Sequence, residues 1–167
     1  MEAVEIAIPS AGVRLTGDPI AARRRPESFV DCQFSAPFAA ALTLTEGTAG
    51  AEPFLRAVGR FDDPPRWDDP ELRRLMDATS VTTDEAIERR FPAEWGAEVA
   101  VTAAGETHER SVSVPLGEPE KPMSDAETRA KAEGLLARTG IDADRLTAVI
   151  ESLGDRSLAE LVDAATA

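Results

Sequence analysis

DCQFSAPFAAALTLTEG, Asp31 to Gly47, is the stretch on which the reading of this chain turns. Its second half is a helix pattern. Phe38, Ala41, Leu42 and Thr45 recur at i, i+3, i+4 and i+7, which puts one narrow apolar stripe on a helix from about Ala36 to Glu46. Ser35 is placed as N-cap, Pro37 is tolerated in the first turn, and Gly47 closes the helix. The first half is more specific than a helix start requires: an acid, a Phe-Ser pair, a proline and an aromatic. Two readings stay open at this point, a helix start whose Phe38 is core packing, or one wall of a site whose other groups lie elsewhere.

Working outward, Val4, Ile6 and Ile8 alternate with Glu5 and Ala7, the period of a half-buried strand, which Pro9 ends. A loop through Gly17-Asp18-Pro19 and Arg23-Arg24-Arg25-Pro26 leads into the deciding stretch. Beyond it the spacing predicts short helices around Pro53 to Val58 and over Glu71 to Ala78, the latter with Leu72, Leu75 and Met76 inward. Between them, Phe61 to Pro70 (FDDPPRWDDP) is too rich in Pro and Asp for regular structure, and Thr79 to Thr83 is β-prone. From Ala97 the pattern becomes strands, with Val99 and Val101 on one face, a turn at Ala104-Gly105, and Val112 and Val114 on the return. Ser124 with Glu127, and Ser157 with Glu160, are capping boxes, and Asp142 caps a helix striped by Leu146, Val149, Ile150 and Leu153. The expectation is one α+β domain over 1–167: a small, largely antiparallel sheet, made of the N-terminal strand and the hairpin, packed with several helices, three of them C-terminal.

Bulk properties narrow the function. The 167 residues suffice for a core without staples, and one cysteine, Cys32, excludes an internal disulfide and fits a reducing compartment. No apolar run approaches the roughly 20 residues of a membrane span, and the first ten residues carry acids where a signal peptide carries cations, so the expected location is the cytoplasm. A formal charge of −13 argues against nucleic-acid binding. The cations are 16 Arg and only two Lys, Lys121 and Lys131, as a high-salt cytoplasm or a GC-rich genome would produce.

The chain offers no complete catalytic set of its own. His108, the single histidine, sits beside the hairpin turn with no nucleophile near it and reads as a solvated strand residue. Cys32 follows an acid, not a cation, so nothing lowers its thiol pKa. One Cys and one His cannot close a zinc site, and the pairs Asp62-Asp63 and Asp68-Asp69 match no EF-hand, so no metal and no cofactor is expected. Arg23-Arg24-Arg25 is the one cationic feature suited to a site. Its guanidinium groups either grip a substrate carboxylate bidentately or pair with the protein's own acids.

Three blocks then resemble one family in order and spacing. SFVDCQFSAPFAAALTLTEG (Ser28 to Gly47) is similar to the segment that opens the C-terminal domain of the MmgE/PrpD family. FPAEWGAEVAVTAAGETHERSVSVPLG (Phe91 to Gly117) resembles the family's hairpin, and GEPEKPMSDAETRAKAEGLLA (Gly117 to Ala137) its G-x-P-x-x-P-[LM]-S segment and the helix after it, with Lys131. The resemblance implies the lid domain of a cofactor-free lyase, a hydro-lyase or a related enzyme, acting on a small polycarboxylate such as a 2-methylcitrate-like acid. Most catalytic groups, histidines included, would lie on a helical domain absent from this chain, which is therefore expected to be inactive alone. Implied partners are that helical domain, a small carboxylate substrate and a second copy in a homo-oligomer. The implied substrate-facing residues are Asp31, Ser35 and Phe38, with the helix N-terminus aimed at the anion; Arg23, Arg24 and Arg25, read from their charge alone, are the further substrate-facing candidates. One departure stands out: the family's usual Tyr falls on Phe38, which has no hydroxyl to donate. The competing implication is a binding or assembly module that keeps the lid fold without catalysis.

Overall fold

The computed structural model describes residues 1–60, 63–137 and 139–166. The chain forms two compact units, Met1–Pro122 and Met123–Ala167.

The first unit is built on a four-stranded sheet in the order β2-β1-β3-β4. Strand β1 is Ala3–Ala7, β2 Thr79–Thr82, β3 Ala97–Ala103 and β4 Glu106–Val112. β1 runs antiparallel to β3, and β3 to β4, as the alternation and the turn predict. The turn itself is Ala104-Gly105 with φ of 53° and 78°, the left-handed pair that a two-residue hairpin of the type I′ class demands. The α+β class holds, but the sheet is mixed, not largely antiparallel. β2 is a fourth strand, paired parallel to β1 from Val4↔Thr79 to Ala7↔Thr82. Its sequence, TSVT, signals β-propensity but carries no apolar alternation to reveal direction. The parallel pairing follows from the helices between β1 and β2, which return the chain to the same end of the sheet.

Those helices are more numerous than the sequence suggested. The stretch after Pro9, expected as loop, coils as α1 (Ser10–Gly12) and then as a wider π-helical turn (Val13–Gly17). Gly17 permits that turn to touch β2, since a Cβ there would lie 2.7 Å from Val81 Cγ1. Next come α2 (Ile20–Arg23) and α3 (Phe29–Gln33), followed by α4 (Ala36–Glu46), α5 (Ala51–Ala57) and α6 (Pro70–Asp77). A further short helix, α7 (Glu85–Arg90), is capped by Asp84, whose carboxylate accepts from the N–H groups of Ala86 and Ile87. Residues 63–69 are irregular, as their Pro and Asp content predicts; Phe61 and Asp62 lie outside the described residues.

Helix α4 is the centre of the unit. Phe38, Ala41 and Leu42, the predicted stripe, are fully buried and meet Leu72, Leu75 and Met76 of α6 in one core cluster with Cys32, Ala57 and Val58. Phe29, Phe54 and Trp67 pack around it, and the Phe54 ring stands edge-on to both Phe29 (5.8 Å) and Phe38 (6.1 Å). Each of the large buried side chains contributes about 1.5–3 kcal/mol of hydrophobic stabilisation. No helix among the described residues is long and apolar enough to cross a membrane.

The second unit comprises α8 (Asp125–Leu136), α9 (Ala143–Glu151) and α10 (Leu158–Ala165). Both predicted capping boxes form, Ser124 with Glu127 and Ser157 with Glu160, and Asp142 caps α9 by accepting from Arg145 N–H at 2.9 Å. Arg129 ties α8 to α9 by reaching Asp144 and Glu151. The unit is well capped but thinly cored. Ala164 is its one buried apolar side chain among the described residues, while Leu158 is 74% exposed and Ile150 and Val162 are each 53% exposed.

Candidate functional site

The sequence pointed to Asp31, Ser35, Phe38 and the three arginines, and the fold gathers them around the start of α4. Ser35 has both faces of its hydroxyl engaged. Its oxygen accepts from Phe38 N–H at 3.0 Å as the helix cap, and its O–H donates to the Arg23 carbonyl at 2.6 Å. With 2% of its surface exposed, Ser35 presents nothing to solvent. Phe38 is likewise interior, its ring closed into the core against Phe54. Neither side chain is open to solvent in this unit. Capping and core packing put them inside the unit, where they set the position of α4 and, through the Ser35–Arg23 link, of the arginine run.

Asp31 is exposed, on the first turn of α3. Ser28 caps that helix by accepting from Asp31 N–H, and Asp31 Oδ2 accepts in return from Ser28 O–H at 2.7 Å. The Ser28 hydroxyl, then the Glu27 N–H and more distantly the Arg23 charge hold the Asp31 carboxyl below the usual carboxylate range. It stays an anion, suited to orienting a cation and not to giving up a proton at neutral pH.

The arginines divide. Arg24 donates from Nε and Nη2 to the Thr79 carbonyl at 2.9 and 2.5 Å, filling the free edge of β2. Arg25 pairs with both oxygens of Asp77 at 2.6 and 3.0 Å. These two follow the self-pairing reading. Arg23 donates only from Nε, to the Asp18 carbonyl at 3.3 Å, and its terminal nitrogens make no hydrogen bond or ion pair among the described residues. Half-buried, anchored at its backbone by Ser35 and beside Asp31, it is the arginine with a fork to offer an anion.

Two open clefts flank the sheet. One, about 310 Å³, is apolar and lies between the sheet and α4, lined by Ile6, Val99, Val101, Ala36, Ala40 and Leu44. The other, about 440 Å³, lies on the opposite sheet face beside Glu5, Glu98, Glu109, Ala100, Thr82 and Ser111. His108 borders the hairpin turn in the open, its side chain 74% exposed and 4.0 Å from Glu106. Burial pushes the Cys32 thiol up to about 12, with the Asp31 charge adding to the effect, so it is no nucleophile. Among the described residues no three His, Cys, Asp or Glu side chains are placed to hold a metal ion. Sequence reasoning missed the clamp at the far end of α4, where Glu46 accepts from Arg66 (2.5 Å) and Arg56 (2.8 Å). The three residues are far apart in sequence, and no local pattern announces them.

A strand followed by helices, a Ser-capped central helix, and a hairpin leading to capped C-terminal helices is thus the order found from Ala3 to Ala165. The family model of the MmgE/PrpD C-terminal domain matches residues 1–155. The chain belongs to the MmgE/PrpD family. None of the curated proteins matches the chain. The match takes in the whole first unit and runs through α9, so all three resembling blocks fall inside it. MmgE/PrpD proteins are dehydratases and related lyases, and the C-terminal domain implies an N-terminal partner domain.

Proposed function

We propose that this MmgE/PrpD domain is the lid of a cofactor-free lyase acting on a small polycarboxylate such as a 2-methylcitrate-like acid. In this reading a helical domain supplies the acid–base groups, and the lid supplies an anion-holding wall. The observation that carries it is Arg23, which lies just before the resembling segment and whose terminal nitrogens, among the described residues, are left over when Arg24 and Arg25 are spent internally. A cation fixed at its backbone and at Nε costs little to order when a carboxylate arrives. Ser35 and Phe38 then act as positioning residues, and Asp31 steadies Arg23 from the side. The exposed apolar side chains of the second unit, Leu158, Ile150 and Val162, suit a surface that a helical partner covers.

The experiment is co-purification with a helical MmgE/PrpD domain, followed by a dehydration assay on citrate-like acids monitored by absorbance of the unsaturated product. The complex should turn over substrate, and the 167-residue chain alone should not. Arg23→Ala in the complex should raise KM for the polycarboxylate by about tenfold or more, the scale of one lost charge-assisted hydrogen bond. Unchanged KM refutes the role of Arg23. Association without turnover of any such acid favours the second reading, a non-catalytic assembly module, which Phe38 in place of the family's hydroxyl-bearing Tyr supports.

A further inference from the structure

The two margins of the sheet are treated differently. At the β2 margin the Thr79 carbonyl is occupied by Arg24, and the π-helical turn leans on Val81 through Gly17. At the other margin every residue of β4, Glu106 to Val112, is exposed. Ala103↔Glu106 closes a two-residue turn, so Glu106, His108, Arg110 and Val112 spend their backbone groups on β3. Thr102, on the other parity of β3, accepts from Glu2 N–H of the β1 side, as this alternation requires. The N–H and C=O groups of Thr107, Glu109 and Ser111 therefore point off the sheet, a ready template for another strand.

We propose that this margin pairs with β4 of a second copy, antiparallel across a two-fold axis at His108. A two-fold that matches outward-pointing groups must pass through a single residue, which leaves few registers. Centred on Glu109, the axis sets Glu109 against itself and His108 against Arg110. Centred on Arg110, it stacks two guanidinium groups. Centred on Thr107, it pairs no more than the first three residues. At His108 alone does charge complement itself over five residues: Glu106 faces Arg110 of the other copy twice over, and Thr107 faces Glu109. About four backbone hydrogen bonds and two cross-strand ion pairs result, and two sheets of four become one of eight. Glu106 and Arg110 share the face of Val99 and Val101, so the ion pairs extend that face across the axis. This pairing is independent of the lyase reading and concerns the full chain as it stands.

Sedimentation at raised ionic strength, which screens the −13 charge on each copy, tests it. The native chain should sediment as a dimer. Arg110→Glu and Glu106→Arg should each weaken dimerisation at least tenfold, mixing the two should give a heterodimer, and the double exchange should restore the homodimer. Oxidation adds a register test, because the one native cysteine is buried. His108→Cys should form an intermolecular disulfide readily, since close non-hydrogen-bonded pairs suit S–S geometry, and Glu109→Cys should not. A monomeric native chain, single variants that dimerise as well as the parent, or preferential cross-linking at position 109 overturns the proposal.

Discussion

Replacing Ser35 by alanine removes one hydroxyl with two tasks. Loss of a side-chain cap costs about 1 kcal/mol. The Arg23 carbonyl, partly buried and served by the same hydroxyl at 2.6 Å, loses its donor for a further cost of about 1 kcal/mol. The sum, about 2 kcal/mol, corresponds to a fall in Tm of about 8 °C for a unit of this size. Both tryptophans, Trp67 and Trp95, lie in the first unit, so fluorescence during urea unfolding reports this unit without interference from the second. The midpoint should drop with the slope unchanged, because no surface exposed on unfolding is altered. Ser28→Ala is the control. Its hydroxyl caps α3 near the surface and bonds only within its own box, so it should cost about half as much. A loss below about 0.5 kcal/mol for Ser35→Ala, or one no larger than that of Ser28→Ala, would refute the double role.

Phe38→Tyr places a hydroxyl in a site with no exposed surface and should destabilise the unit by about 1–3 kcal/mol in the same urea titration, despite restoring the family's usual residue. Ala104→Asn exchanges a strained left-handed alanine (φ 53°) for the residue that type I′ turns favour before Gly, and should stabilise the unit by about 0.5–1 kcal/mol, seen as a higher urea midpoint. For Glu46, the Arg66 hydrogen bond, reinforced by the Arg56 and Arg66 charges, holds the folded pKa below the ordinary 4.5. Its contribution is therefore complete above about pH 4.5 and disappears as pH falls through the depressed value. Urea midpoints of Glu46→Gln and the parent should accordingly differ at pH 6 and converge towards pH 3; a constant gap would contradict the linkage.

Legibility in the sequence tracked how local each interaction is. The caps at Ser35, Asp142, Ser124 and Ser157 are matters of three or four residues, and all four form as the spacing says. The α4 stripe and the hairpin turn were equally readable, because helical and strand periods act over one segment. The parallel strand β2 was not, since its partner β1 lies at the opposite end of several helices and its polar sequence carries no sign of direction. The helical coiling of Ser10–Gly17 and Ile20–Arg23 was hidden by glycine and proline that read as breakers but sit at the ends of short turns. At the candidate site, residue types treated the three arginines as one group, open to a substrate carboxylate or to the protein's own acids, with nothing to divide them. Arg24 and Arg25 are claimed by a carbonyl and a carboxylate from β2 and α6, partners that no local spacing reveals, whereas Arg23 is not.

The forked donors also bear on why lysine is nearly missing. Arg24 puts two nitrogens on one carbonyl, Arg25 grips both oxygens of Asp77, and Arg66 spans Glu46 and Asp69. A single ammonium could reproduce none of these planar, two-point attachments. At such positions the preference for guanidinium is enforced by shape, whatever the salinity of the cell or the base composition of its genome, and exchanging them for lysine would loosen the joints between strand, helix and loop.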